Sequence, residues 1–513
     1  MKKGVRKEVL TPGSEALGER IQRIRDKKGI TQHELATRVQ TTQSAIARIE
    51  RGEQNMSTEM IARVSSALNT PVITLGNDAI NIQIEGRHKL KGEVTIKTSK
   101  NGAVALMAAS LLNQGKTTLK NMPRIEEVFR LVEVLESIGV IVRWNDSAME
   151  ITPPDHIDIT HINRASAVRT RSIALLFGPL IHYFKKFSLP HPGGCKLGSR
   201  TVKPHLFALE RFGVSIVSKE EDYHISRHTL TPNEVVLYES GDTVTENAIM
   251  AAARIPGKTV IKFASANYQV QDLCFFLETL GVTIQGIGTT TLTIEGKPDI
   301  NTDITYAVSE DPIEAMFFLS AAIVTRSAIT IRRCPIDFLE LELLKLEKMG
   351  FKYTILKRYK ALNEKTNLVD IKTFPSTLSA LEEKIESRPY PGLNIDNLPF
   401  FAVIATQAKG QTFIHDWVYE ERAIYYKELD KLGAETILAD PHRIYITGPT
   451  NLIANEVITP PALRPGAIIL IGMLAAKGVS TLRNIYSINR GYEDIIARLN
   501  SLGAKITLLS AGK

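Results

Sequence analysis

Apolar positions along this chain follow two rhythms, and the change between them falls near residue 80. Before it, Leu17, Ile21 and Ile24 share one helical face, and Leu35, Ala36 and Val39 share a second. Ile46 and Ile49 mark a third, and Met60, Ile61, Val64 and Leu68 a fourth. Spacings of three and four place such residues on one side of a helix. Thr31 and Thr41 or Thr42 stand where N-caps belong, and Gly29 and Gly52 where helices stop. The pattern predicts four or five short helices before residue 70.

Beyond residue 80 one pattern appears six times: an amphipathic helix, an apolar residue, a glycine and a β-rich run. Its ends read Leu135-Glu136-Ser137-Ile138-Gly139, Leu209-Glu210-Arg211-Phe212-Gly213, Leu277-Glu278-Thr279-Leu280-Gly281, Leu346-Glu347-Lys348-Met349-Gly350, Leu429-Asp430-Lys431-Leu432-Gly433 and Leu499-Asn500-Ser501-Leu502-Gly503. The glycines lie 74, 68, 69, 83 and 70 residues apart. Each is expected just past a helix end, in the left-handed conformation that glycine enters without a Cβ penalty. A period near 70 exceeds the roughly 20–50 residues of solenoid repeats. Six such units predict an α/β fold of two pseudo-threefold domains, each with three helix-plus-sheet units around buried helices. The longest apolar run, Ala467 to Ala476, is interrupted by Gly472 and reads as one of those helices. It is too short for the ~18 residues a bilayer span needs, so no membrane association is expected.

The 513 residues suggest three or four domains. With 43% apolar and 23% charged residues the chain has ample material for a core. Three separated cysteines, Cys195, Cys274 and Cys334, make neither a disulfide framework nor a metal site. The basic start has no apolar segment behind it, so a cytoplasmic, reduced protein is expected. Of the net charge of +8, residues 1–75 carry +5, from thirteen Lys/Arg against eight Asp/Glu. A small basic module before a nearly neutral body points to nucleic acid.

Chemistry concentrates in His191-Pro192-Gly193-Gly194-Cys195-Lys196-Leu197-Gly198-Ser199-Arg200. Glycines let this backbone approach a ligand closely. The neighbouring cations stabilise a thiolate, which suits Cys195 to nucleophilic or proton-carrying work on an anionic substrate. Cys274 and Cys334 sit in apolar segments and read as core.

The string Gly29-Ile30-Thr31-Gln32, Leu35-Ala36, Thr42-Gln43-Ser44, Ile46 and Ile49-Glu50 resembles the helix-turn-helix domains of phage repressor and Cro-type regulators. The resemblance implies that the helix from Thr42 to Glu50 enters the major groove of DNA. Thr42, Gln43, Ser44 and Arg48 would then face bases and phosphates, and Gln32 would anchor on backbone phosphate. Such domains usually bind as dimers, so a homodimer interface is expected.

Further segments resemble the enolpyruvyl transferase family, and within it the UDP-N-acetylglucosamine 1-carboxyvinyltransferases. They are Lys100-Asn101-Gly102-Ala103, Arg171 before Ser172-Ile173-Ala174, the cysteine loop, Thr245-Glu246-Asn247, Glu420-Glu421-Arg422, Leu463-Arg464 and Ile488-Asn489-Arg490-Gly491-Tyr492-Glu493. The resemblance spans residues 80–513 and implies two inside-out α/β barrels. It assigns residues 83–99 and 311–513 to one barrel and 100–310 to the other. Residues 1–72 are left to the helix-turn-helix domain and 73–82 to a linker. The implied substrates are phosphoenolpyruvate and UDP-N-acetylglucosamine, with no metal or organic cofactor.

By the same resemblance Lys100, Arg200, Arg464 and Arg490 hold the anionic groups of phosphoenolpyruvate. Cys195 protonates its methylene from a lid loop, and Asp396 is the base near the acceptor hydroxyl. Asn101, Arg171, Thr201, Val202, His205, Val418 and Arg422 complete the implied substrate contacts. Taken alone, Asp396 reads as a helix cap and Lys100-Asn101 as a helix start. The chain departs from the family at Ala462, where an aspartate usually stands, and at Lys203, Leu398, Phe400 and Asn489. These changes thin the polar support around the base. They open an alternative in which the body senses a nucleotide sugar for a DNA-binding regulator.

Overall fold

The computed structural model describes residues 18, 21–22, 24–26, 28–51, 60, 63–64, 67–68, 80–192 and 201–509. The chain divides into two compact units, residues 1–79 and 80–513.

In the first unit, helix α1 (Gln32–Arg38) starts on a reciprocal cap. The Thr31 hydroxyl accepts from the Glu34 amide, and the Glu34 carboxylate accepts from the Thr31 amide at 2.7 Å. Thr42 caps helix α2 (Gln43–Glu50) by accepting from the Ala45 amide. The expected apolar faces meet: Ile21, Leu35, Ala36, Val39, Ile46, Ile49, Val64 and Leu68 form one buried cluster. Within this unit Arg25 and Glu50 make a buried ion pair at 2.6 Å. The expected stop at Gly52 lies outside the described residues.

The described residues of the second unit form six sheets. All six repeat glycines have positive φ, between +83° and +100°, so each takes the left-handed turn expected of it. The buried helices are α3 (Lys100–Ala109), α4 (Asp242–Ala252), α6 (Pro312–Val324), α7 (Leu398–Ala405) and α8 (Leu463–Ala475), with α5 (Tyr268–Thr279) packed on α3. Every residue of α6 and α7 is buried. A helix buried all round needs neighbours on every side: α6 packs on α7, α8 and the sheet of Ala328–Pro335, and α7 on α6, α8 and the sheet of Ala408–His415. The Ala467–Ala476 run falls on α8 as expected, and Gly472 lets the Leu432 side chain approach where a Cβ would meet it at 2.9 Å.

Apolar residues of this unit gather in two cores. One joins residues 103–308, and the other joins residues 82–96 to 313–506, with Tyr268 added. The strand Asn81–Glu85 pairs between Val479–Arg483 and Lys505–Leu509. Lys91–Thr95 adds in parallel to Ala328–Pro335. The start of the unit is thereby built into sheets made by its end. Two backbone segments pass side by side between the cores, held by Ser99 donating to Ser309 and Asp311 donating to Lys97. Cys274 and Cys334 are fully buried, one in each core.

Candidate active site

A cavity of about 700 Å³ is walled by residues of both cores. Its cations come from several elements. Lys100 is the first residue of α3, whose start is capped by the Ser99 hydroxyl accepting from the Gly102 amide. Arg171 opens a short helical turn after Thr170. Arg490 arrives from the far end of the chain and meets Glu127, at the start of the helix Glu126–Ser137, at 2.8 Å.

Glu127 also accepts from the hydroxyls of Thr170 and Ser172. Burial alone would raise its pKa, but Lys100 and Arg490 outweigh burial and hold it down to about 2. Glu127 is therefore a fixed negative charge that holds Arg490 by an ion pair and attracts Lys100 at longer range.

Asp396 stands on the opposite side, in the turn before α7, where the Asn394 side chain accepts from its amide. Arg464 Nη2 reaches Asp396 at 3.4 Å, and Arg422 Nη1 lies 3.9 Å away. Arg422 is itself buried, donating to the Asp416 carboxylate and to the Ile395 carbonyl at 2.8 Å each. It therefore braces the Asp396 turn while also lining the cavity. Arg464 donates to the Tyr492 hydroxyl at 3.1 Å, and its Nε is buried with no hydrogen-bond partner among the described residues. Ala462, fully buried, occupies the N-cap of α8 and supplies no side-chain cap.

Most of the expected contacts converge here. Lys100, Asn101, Arg171, Thr201, His205, Asp396, Val418, Arg422, Arg464 and Arg490 all line the cavity. Asn101 is spent in part on its neighbours, donating to Tyr268 and Gln269 at 3.1 Å each. Burial, with Arg171 adding to it, lowers the His205 pKa to about 3, so its ring is neutral. Val202 is buried beneath the start of the helix Lys203–Glu210 and does not line the cavity. Cys195 and Arg200 lie outside the described residues.

Two wall residues were not singled out from the sequence as site residues, Asp242 and Glu246 of α4, and Glu127 is a third. The Thr245-Glu246-Asn247 segment was a signal for one of them. Nothing local marked Glu127, whose partner is 363 positions away.

In the first unit Thr42, Gln43, Ser44 and Arg48 are exposed on or just before α2. Gln32 is half-buried, and its amide donates to Glu50 at 2.8 Å and so extends the buried Arg25–Glu50 pair.

A family model described as EPSP synthase (3-phosphoshikimate 1-carboxyvinyltransferase) matches residues 84–499, and a helix-turn-helix model matches residues 21–75. The UDP-N-acetylglucosamine 1-carboxyvinyltransferase of Bradyrhizobium diazoefficiens is 33% identical over 431 residues, covering 82% of this chain and 96% of that protein. That of Treponema denticola is 32% identical over 426 residues, covering 83% and 98%. Among solved structures, the enolpyruvyl transferase NikO from Streptomyces tendae has a TM-score of 0.74 at 22% identity, covering 85% of this chain and 100% of its own. EPSP synthase from Acinetobacter baumannii has a TM-score of 0.67 at 17% identity, covering 84% and 100%. These two show that the fold is shared.

Proposed function

The chain belongs to the enolpyruvyl transferase family and carries a helix-turn-helix domain ahead of it, and we propose that it transfers the enolpyruvyl group of phosphoenolpyruvate to the 3-hydroxyl of UDP-N-acetylglucosamine. That step commits the nucleotide sugar to peptidoglycan. The observation that carries this reading is the placing of Lys100, Arg490 and Arg464 around one cavity with Asp396. A carboxylate and a phosphate on one small substrate call for fixed cations, and an attacking hydroxyl calls for a base within reach. The relatives at 32–33% identity support the choice of acceptor.

In this reading Asp396 takes the proton of the acceptor hydroxyl as its oxygen bonds to C2 of phosphoenolpyruvate. The methylene carbon C3 receives a proton, for which Cys195 is the family's donor. Loss of phosphate from C2, with return of the C3 proton, restores the vinyl group on the acceptor. Lys100 and Arg490, the latter fixed by Glu127, hold the phosphate as charge builds on it. Arg464 neutralises the substrate carboxylate and lies 3.4 Å from Asp396.

Phosphate release from phosphoenolpyruvate tests the proposal. It is expected to require UDP-N-acetylglucosamine and to vanish in Cys195→Ala. No release with either substrate combination would overturn it. One observation favours a second reading: Arg464 Nε has no hydrogen-bond partner among the described residues and Ala462 supplies no carboxyl at the start of α8, which leaves the base less supported. If the nucleotide sugar binds without turnover and changes DNA affinity, the body is a sensor. For the first unit we infer duplex DNA as the partner, through the exposed face of α2. Ser44→Ala and Gln43→Ala are expected to reduce sequence discrimination, and Arg48→Ala to weaken binding more evenly across sequences.

A further inference from the structure

Asp242 and Glu246 stand one helical turn apart on α4 and both line the cavity. Glu246 is 1% exposed, and neither of its carboxyl oxygens has a hydrogen-bond partner in good geometry, the Gln269 side chain supplying only a marginal contact. Buried carboxyls are ordinarily satisfied by hydrogen bonds or cations, so this wall residue keeps hydrogen-bonding capacity that the described residues leave unused. Asp242 accepts from Ser265 Oγ at 2.5 Å and Asn267 Nδ2 at 3.0 Å, both neutral donors, and retains lone pairs for another. Burial raises the pKa of each carboxyl, and Glu246, with Asp242 beside it, is pushed up to about 8. Glu246 is therefore a protonated acid near neutral pH, with one O–H to give and one oxygen to receive.

The position of this pair narrows the ligand. Asp242 is close enough to Asp396 for the two charges to oppose one another. Asp242 thus lies near the group that takes the acceptor's proton, with Glu246 one turn further along α4. A sugar hydroxyl both donates and accepts, which matches a protonated Glu246 beside an Asp242 that keeps lone pairs free. On an acceptor that reacts at its 3-hydroxyl and carries an acetamido group at C2, the neighbouring hydroxyl is the one at C4. We propose that Glu246 and Asp242 form a subsite for the 4-hydroxyl of the acceptor sugar, Glu246 donating to its oxygen and Asp242 accepting its hydrogen. This assignment rests on the transferase reading above and extends it to two further specificity-determining residues.

The test is a binding cycle without phosphoenolpyruvate, using UDP-N-acetylglucosamine and its 4-deoxy analogue on the full-length protein, Glu246→Gln and Glu246→Ala. The unaltered protein is expected to bind the deoxy analogue about tenfold more weakly, the worth of roughly one hydrogen bond. Glu246→Ala should lose about as much toward the parent sugar and little further toward the analogue, because both changes remove the same contact. Glu246→Gln keeps a neutral donor and should stay within about threefold of the unaltered protein. Additive losses would overturn the subsite, as would Glu246→Ala binding the parent sugar normally. A folded Glu246→Gln that binds as poorly as Glu246→Ala would overturn the donor role. If the unaltered protein does not bind UDP-N-acetylglucosamine at all, the transferase reading fails and takes the subsite with it, whereas binding that ignores Glu246 sinks the subsite alone.

Discussion

Two glutamates in the wall of one cavity, both almost fully buried, have opposite charge states. Glu127 is 3% exposed and its pKa lies at about 2; Glu246 is 1% exposed and its pKa lies at about 8. Burial opposes ionisation in both. Glu127 has Lys100, Arg490 and two hydroxyls around it. Glu246 has a second carboxyl one turn away, Lys100 as its distant cation, and no good hydrogen bond. Partners rather than depth decide the charge. One cavity can therefore present a fixed anion that organises cations for phosphate and, on another wall, a neutral acid suited to a hydroxyl.

The largest break in this comparison is Arg490→Ala. It removes a cation from the proposed phosphate site and leaves Glu127 buried with one fewer partner. Phosphate release is expected to fall by about a hundredfold or more. Stability should fall by about 3–5 kcal/mol, since removing one member of a buried ion pair strands the other; denaturant melts measure this. A loss of activity without a loss of stability would mean that Glu127 does not depend on Arg490.

Next comes Glu127→Gln, expected to cost about 1–3 kcal/mol at pH 7, the range for hydrogen bonds to charged groups. Its folded pKa is depressed, so its stabilisation is present above the ordinary value of about 4.5 and is lost as pH falls toward 2. The difference between Glu127→Gln and the unaltered protein should therefore shrink through that window. Glu246→Gln should behave in the reverse sense. The raised folded pKa makes the unaltered protein lose stability as pH rises from about 4.5 to 8, because the unfolded chain releases a proton that the folded chain keeps. The variant should match the unaltered protein near pH 4 and exceed it above pH 8 by at least about 1 kcal/mol, a pKa unit being worth about 1.4. Parallel pH profiles for the two variants would erase the distinction between the glutamates.

The contrast between them was only partly legible in the chain. Local rules carried far: the six glycines with positive φ, the caps at Thr31 and Thr42, and the buried apolar helix α8 all follow from residues within a few positions of one another. Motif resemblance brought ten expected contacts to one cavity, because a family's spacing encodes its three-dimensional site. What sequence pattern does not contain is the partner of a charge. Arg490 finds Glu127 from 363 positions away, and Gln32 donates to Glu50, 18 residues later, which Arg25 already holds. Val202 sits among residues with exposed side chains in sequence, yet the first turn of its helix packs it inward. Each of these depends on tertiary placement that local periodicity does not report.

The smallest expected effect is at Ala462, where the same logic can be run forward by adding a carboxyl instead of removing one. Ala462 occupies the N-cap of α8, a position at which aspartate is favoured over alanine by about 0.5–2 kcal/mol. Arg464, two residues on, has a buried Nε without a hydrogen-bond partner among the described residues. A carboxylate introduced by Ala462→Asp would thus find a helix N-terminus and a waiting guanidinium, the circumstances of Glu127 and not those of Glu246. It should ionise, leave stability unchanged or raise it by up to about 1 kcal/mol, and increase phosphate release by about threefold to tenfold through kcat with little change in KM. That last split matters, because a carboxylate that only tightened the fold would leave kcat alone. If Ala462→Asp instead destabilises the protein by more than about 2 kcal/mol, the new carboxyl has joined the unpartnered class. The orphaned Nε is then satisfied by substrate and not by the protein, which would make Arg464 the more direct of the two arginines in holding phosphoenolpyruvate.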